Sequence, residues 1–424
     1  MKYKMQDKQN QLIERISDQH LVVGVDIAQQ FHVARAVNYR GIVIGDPLTF
    51  ENDEVGFARL QEWMNELKDS KGYSTEIVGM EPTGHYWLNL SKWLYDQGID
   101  VVTVNPHLVK RNKENRDNTQ SKSDKKDALV IADMIKNGYY SIIHPTSEAF
   151  EKLRVLMSNR DVIVKRLVSS TNQINRWVDI VFPELREVFK DVKGKGAIAT
   201  LRLFPTPNEL RLMEPQDIIK GWKTLMKRQP GLKKARSLIR LAKNSVGTTQ
   251  ALDAYKLHLE QLLEEFDLAT TQLEKVEKEA ANALKQITFA NKILVMKGIT
   301  EITLGGILGE TGDLSKFAHG NSLLRHAGLN LAEASSGKWK GQIVISKRGR
   351  SRLRRYLYLA TMSLVANNPE FKELHAYNVQ VKKMKKMKSI MKLIGKFARI
   401  LVGIARNNEP YCPEKVQPLT SVAA

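Results

Sequence analysis

Cysteine is nearly absent from this sequence, with Cys412 the single one in 424 residues. That excludes an internal disulfide and a cysteine-based zinc cluster, so any metal must be held by oxygen or imidazole. Long apolar runs are missing too: no stretch reaches the roughly 18 residues that a membrane helix needs. The opening MKYKMQDKQNQLIERISDQH lacks a signal-peptide core. These absences predict an intracellular protein, cytoplasmic and nucleoid-associated, with no membrane partner. Acid is scarce relative to base, 46 residues against 66, for a net charge of +20. Such an excess suits a polyanion, and nucleic acid first, because phosphate neutralisation supplies most non-specific binding.

What is present is globular in composition, with 42% apolar and 26% charged residues over a length sufficient for two or three domains. The β-branched runs LVVGVDIA, FHVARAVNY and GIVIGDPLTF predict an antiparallel meander, followed by a helix from Asn52 to Lys68. A fourth strand, TEIVGMEPT, a helix around Trp87 to Gln97, a strand DVVTVNP and a helix opening at SKSDKKDAL come next. Three strands, helix, strand, helix, strand, helix is the element order of a ribonuclease H-like α/β fold. From Ser147 to Ile287 long helices are expected, broken by the loop-rich patch DVKGKGAIATLRLFPTPNELRLMEP. The second long helix carries apolar residues in steps of three and four from Leu252 to Ile287, a coiled-coil seam. The seam predicts homo-oligomeric pairing, with an intrachain hairpin against the helix near Phe150 to Ile180 as the alternative.

The segment ILVMKGITEITLGGILGETGDLSKF is similar to a helix-hairpin-helix, with Thr300 in place of the usual second turn glycine. From Ala334 to Pro369 no acid occurs, while Lys338, Lys340, Lys347, Arg348, Arg350, Arg352, Arg354 and Arg355 crowd together. Charge runs are commonly solvated faces, but this one-sidedness predicts a phosphate-backbone contact. VKKMKKMKSIMKLIGKFARILVGIARN is a basic amphipathic helix suited to packing or to nucleic acid.

Asp26 closes the first strand and Glu81 the fourth, which are neighbours in a ribonuclease H-like sheet. A carboxylate there is costly to bury unless it is paired or bound to metal, although either acid can also cap a turn. Asp124 and Asp127, three apart, share one helix face. Alone they are an ordinary acidic helix start capped by Ser121 or Ser123. Joined with Asp26 and Glu81 they predict a four-carboxylate site. Like charges at that range need cations, and magnesium is the hard, oxygen-seeking ion that works in pairs about 4 Å apart on phosphodiesters.

GVDIA, GMEPTGHYWLNL, the segment from VVTVNPHLVK to DALVIADMI, and the downstream LLRHAGLNLAEASSG and SKRGRSRLRRYLYLATM resemble the DEDD transposases of the insertion-sequence one-ten family. The resemblance implies a RuvC-like domain over residues 1–147, a helical linker and coiled coil over 148–290, a mainly α-helical transposase domain over 291–380 and a basic tail over 381–424. It also implies that Asp26, Glu81, Asp124 and Asp127 are Mg2+ ligands and that Ser336, with Ser335 as competitor, is a nucleophile that leaves a phosphoserine link. A homo-oligomer, dimer or tetramer, acting on DNA under a structured guide RNA follows from the same likeness. The basic stretch containing Lys110 and Arg111 suits either nucleic acid. The alternatives are a RuvC-like structure-selective nuclease that only hydrolyses and a non-catalytic binding scaffold. An actin-like ATPase, suggested by GVDIA, is countered by Ala28 and Gln29 where glycine and threonine belong.

Overall fold

The computed structural model describes residues 2–116, 123–143, 147–228, 230–332, 335–336, 339–341, 343–414 and 416. Its contacts divide into two compact units, Met1–Pro145 and Thr146–Ala424.

In the first unit, helix α1 (Lys2–Glu14) precedes strands β1 (His20–Asp26), β2 (Phe31–Val37) and β3 (Val43–Glu51), which form the antiparallel meander. Helix α2 (Glu54–Lys71) begins where the Asp53 carboxylate accepts from the Gly56 N–H at 2.8 Å. It ends at Gly72, whose φ of 72° disfavours any side chain. Strand β4 (Thr75–Met80), α3 (Trp87–Asp96), β5 (Asp100–Val104), α4 (Pro106–Arg116), α5 (Asp124–Lys136) and β6 (Tyr140–Ile142) follow. The sheet order is β3-β2-β1-β4-β5-β6, with β1, β4 and β5 parallel. The mixed sheet and its helices are consistent with the ribonuclease H-like expectation. The pattern did not reveal β6, three residues long, or α4, whose VKRNKENR is too polar for an apolar stripe.

Alternation along the strands separates two cores. Leu21, Val23 and Val25 of β1 with Val78 and Met80 of β4 face α2 and α3. Val22 of β1, Ile77 of β4 and Val102 of β5 face Ile131 and Ile135 of α5. Between those residues lie Gly24 and Gly79, paired in register. A Cβ on Gly24 would collide with the Ala128 carbonyl oxygen and the Ala132 nitrogen, and one on Gly79 with the Ile135 side chain. The helix backbone thus rests directly on the sheet. Lys136, at the end of α5, lies against Gly41 in the β2–β3 turn, beside the start of β1. Helix α5 therefore runs antiparallel to β1, with its N-terminus at the edge where β1 and β4 end.

The second unit is built on α6 (Glu148–Val181) and α12 (Leu252–Lys285), each 34 residues long, which is about 50 Å. They pack antiparallel within one chain, tied by the Arg160–Glu277 ion pair at 2.7 Å and by Trp177 Nε1 donating to the Tyr255 carbonyl at 2.7 Å. Leu259, Leu262, Ala269, Val276, Ala280 and Ala283 of the predicted seam are buried. The intrachain hairpin is thus what covers this seam, because α6 offers a complementary face that includes Leu153, Met157, Ile163, Ile174 and Trp177. Between them, α7 (Leu185–Val188), α8 (Lys195–Leu203), α9 (Pro207–Leu210), α10 (Pro215–Leu225) and α11 (Leu232–Lys243) enclose Trp177, Phe182 and Trp222 in a separate core. The loop-rich patch is therefore a set of short helices that glycine and proline delimit.

Beyond lie α13 (Ala290–Leu294), α14 (Glu301–Thr311) and α15 (Gly320–His326). The two-residue strands β7 (Leu331–Ala332), β8 (Ser335–Ser336), β9 (Trp339–Lys340) and β10 (Val344–Ile345) precede α16 (Ser351–Asn367), α17 (Pro369–Gln380) and α18 (Lys386–Asn407). The turn before α14 has Gly298 at φ 101°, pressed on the α16 backbone at Ser363. Leu393, Phe397 and Leu401 of α18 share a core with α14 and α16, so residues 386–407 of the expected basic tail are an integral core helix. Among the described residues no helix is long and apolar enough to cross a membrane.

Gly24→Ala is expected to destabilise the chain by about 3 kcal/mol or more, since the obstacle is backbone. Gly403→Ala, in α18 with nothing within 4 Å of its added Cβ, should be neutral or stabilising by roughly 0.5–1 kcal/mol. Unfolding midpoints followed by circular dichroism check both.

Candidate functional site

The last in-register pair of β1 and β4 is Val25 with Met80, so Asp26 and Glu81 are the next residues on adjacent parallel strands. Each lies two residues beyond its glycine, on the face that α5 covers. Both are half-buried. Asp127, 7% exposed, directly precedes Ala128, which sits on Gly24; Asp124, one turn earlier, is exposed. The fold therefore brings all four acids to one edge of one face. It does not close them on an ion: among the described residues no three Asp, Glu, His or Cys are grouped to hold one. Thr83 Oγ1 donates to the Glu81 carboxylate and keeps it in its own turn, while Asp26 and Asp127 each have a further interaction. The donor set is all carboxylate oxygen, which fits magnesium or manganese and no soft metal. Ser123 is the N-cap of α5 but makes no side-chain cap bond, contrary to the sequence expectation, and Ser121 lies outside the described residues.

Two residues of this region were not singled out in the sequence. His32 is fully buried on β2, and its Nδ1 accepts from the Ala28 N–H at 3.2 Å, fixing the turn just after Asp26. Its ring stacks on Phe57 at 6.3 Å and meets Phe50 edge-on at 5.3 Å. Burial holds its pKa below the ordinary imidazole value, with the Asn52 side chain opposing the shift. Arg35 stands opposite Gly24 in register, so it shares the acids' face, and its Nε is buried with no partner among the described residues. A lone arginine inside the apolar FHVARAV was the available signal.

The basic segment of the second unit falls into two groups. Arg352 is held by Asp161 at 2.9 Å and Glu310 at 3.3 Å and donates to the Met157 carbonyl at 2.9 Å. Arg354 donates to the Ala327 carbonyl at 2.8 Å, and Arg355 lies 3.5 Å from Asp161. Arg352 and Arg355 support the fold because Asp161 and Glu310, each 12% exposed, need positive partners, and Arg354 supports it through its bond to the chain backbone. Lys347, Arg348 and Arg350 are exposed, as are Lys110 and Arg111 on α4. Arg350 reaches only to 3.8 Å from Glu310 and borders a cleft of about 650 Å³ with Arg154, Ser158 and Asn159. Ser336 pairs with Trp339 across β8 and β9; at Ser335, Ser336 and Lys340 the backbone alone is described, and Lys338 lies outside the described residues.

Arg352→Ala should lower stability by about 2–4 kcal/mol by leaving Asp161 and Glu310 short of a partner, whereas Arg348→Ala should leave the unfolding midpoint unchanged. His32, forced neutral by burial, makes its full contribution above about pH 6.5 and loses it as pH falls below that value. There the unfolded chain binds a proton that the folded one refuses. Thermal unfolding between neutral and mildly acidic pH should show a falling midpoint, and His32→Leu a flatter one.

Comparison with known proteins follows the same two segments. Residues 23–183 match a family described as transposase, and residues 290–376 match one described as the transposase IS116/IS110/IS902 family. The 44.8 kDa protein of insertion element IS116 from Streptomyces clavuligerus is 25% identical over 349 residues, 80% of this chain and 84% of that protein. The mini-circle protein for IS117 of Streptomyces coelicolor is 22% identical over 325 residues, covering 74% of this chain and 77% of its own length. The 42 kDa protein of insertion element IS900 from Mycobacterium paratuberculosis is 24% identical over 253 residues, 59% of this chain and 63% of that protein. Both family matches fall on the segments that carry the acids and the basic serine-containing region, and the chain belongs to the IS110 family of transposases, enzymes that act on DNA.

Proposed function

We propose that the chain cuts and rejoins DNA at the ends of an insertion sequence, with Asp26, Glu81, Asp124 and Asp127 as the magnesium ligands and Ser336 as the nucleophile. The observation that carries this reading is the gathering of the four acids at one sheet edge beneath the α5 N-terminus. Drawn together on one ion, these carboxylates would have their mutual repulsion relieved by its charge. A bound magnesium ion would supply positive charge to the phosphate oxygens.

The chain's own groups do the rest. Ser336 Oγ forms a bond to phosphorus as the bond from phosphorus to the leaving deoxyribose oxygen breaks; the serine hydroxyl loses a proton and the leaving oxygen gains one. The phosphoserine ester keeps the energy of the original linkage, so a hydroxyl of another strand can reverse the step onto a new end without ATP. Exposed Lys347 and Arg350 hold the scissile phosphate. The serine and the acids belong to different parts of the chain, and a homo-oligomer, dimer or tetramer, supplies them from two subunits. A structured guide RNA completes the assembly, with Lys110 and Arg111 on α4 available to either nucleic acid and a net charge of +20 sufficient for both.

In a strand-exchange assay, Ser336→Ala should lose roughly a thousandfold or more in activity and form no covalent protein–DNA adduct, while Ser335→Ala should retain both. Chelation of divalent ions should abolish activity, and added magnesium should restore it. Undiminished exchange by Ser336→Ala would leave the purely hydrolytic nuclease as the better account.

A further inference from the structure

Between Ile218 and Leu252 the chain carries nine lysines and arginines and no acid. This run lies outside both family-matched segments, 23–183 and 290–376. A basic run is ordinarily a solvated face with acids close by. Arg352, for example, faces Asp161 and Glu310, and Lys275 and Lys278 of α12 alternate with Glu274, Glu277 and Glu279. Here the neighbours differ. All nine side chains are exposed, and among the described residues none of them forms an ion pair, whereas nearby Arg202 and Lys256 pair with Asp267 and Glu209.

Helical geometry orders part of the run into a line. On α11, Lys233, Arg236, Arg240 and Lys243 recur in steps of three, four and three, opposite the buried Ala235, Leu238, Leu241 and Ala242. At 1.5 Å per residue they extend about 15 Å along the surface. Lys234 stands apart, 4.8 Å over the Phe189 ring. Helix α10 packs on α11 and adds Lys220 and Lys223, both exposed.

We infer that the α10–α11 face binds the phosphate backbone of double-helical DNA without reading its sequence. Cations spaced about 5 Å apart along a straight helix match an extended polyanion whose charges recur every ~1.7 Å of axis. The face offers nothing for unpaired bases to stack on. Trp222 is the lone aromatic between Ile218 and Leu252 and is fully buried. Recognition of single strands and RNA loops depends on exposed aromatic platforms, so duplex DNA is the better fit. The inference rests on the family's DNA substrate and on neither Ser336 nor the acid site, and binding alone reads it, so the two can fail separately.

The test is the salt dependence of duplex DNA binding by the full chain carrying Lys233→Gln, Arg236→Gln and Arg240→Gln. Loss of three phosphate contacts should lower the slope of log affinity against log salt by about 2 to 3. A second triple, Lys275→Gln, Lys278→Gln and Lys285→Gln, removes the same charge among glutamates and should change the slope by less than about 1. Arg236→Lys with Arg240→Lys should keep the wild-type slope, and circular dichroism should show intact helix in every variant. A wild-type slope in the α11 triple, an equal loss in the α12 triple, or a loss confined to structured RNA with duplex DNA unaffected would each overturn the inference.

Discussion

The close contact of α5 with β1 and β4 is the constraint on which the first unit depends. Two glycines, Gly24 and Gly79, remove the side chains that would hold the helix away, and the Ala128 and Ala132 backbone settles onto the sheet. Because strand residues alternate, the same parity that turns Gly24 and Gly79 toward the helix turns Asp26 and Glu81 toward it two residues later. Because the helix runs antiparallel to β1, its acidic first turn reaches the edge where both strands stop. Packing and chemistry thus share one cause: a bulkier residue at position 24 or 79 would displace Asp127 as well as open the core. His32 and Arg35 belong to the same design, one fixing the turn after Asp26 and the other placing a cation on the acids' face.

The second unit meets the opposite problem, an excess of positive charge, in two ways. Around α16 part of the excess is neutralised internally, where Asp161 and Glu310 gather Arg352 and Arg355 into one network. Tyr356 joins it by donating to Asp161 at 3.2 Å. Burial, followed by the nearby Asp161 charge, raises the phenol's pKa and keeps it a donor. On α10 and α11 the excess is left open to solvent. The same residue types therefore do different work, and what separates them is whether a buried acid stands within reach.

Much of the first unit was legible in the sequence because β-branched runs and turn residues mark β1 to β5 and their succession locally. The adjacency of Asp26 and Glu81 followed from reading that order as a ribonuclease H-like sheet. Other features were hidden for identifiable reasons. A heptad seam records its period but not its partner, so the residues from Leu252 to Ile287 were equally suited to another chain and to α6, which covers them. The tasks of Arg352 depend on Asp161, 191 positions away, and no local pattern carries that information. Helix α18 was legible as a basic amphipathic helix, but its sequence suited packing and nucleic acid alike, and the burial of Leu393, Phe397 and Leu401 in the core of the second unit depends on partners far along the chain. Ser336 was marked by family resemblance, for nothing in ASSGKWKG distinguishes a nucleophile from a loop serine.

The central claim is that α5 and the two strand ends form one ion site. Manganese binding to the wild-type chain, Asp26→Asn, Asp127→Asn and the double variant tests it most directly. Each single change should weaken binding at least about tenfold, and the double should weaken it by clearly less than the product of the two, as expected for ligands of a shared ion. Independent, multiplicative effects, or binding indifferent to Asp127, would contradict the account.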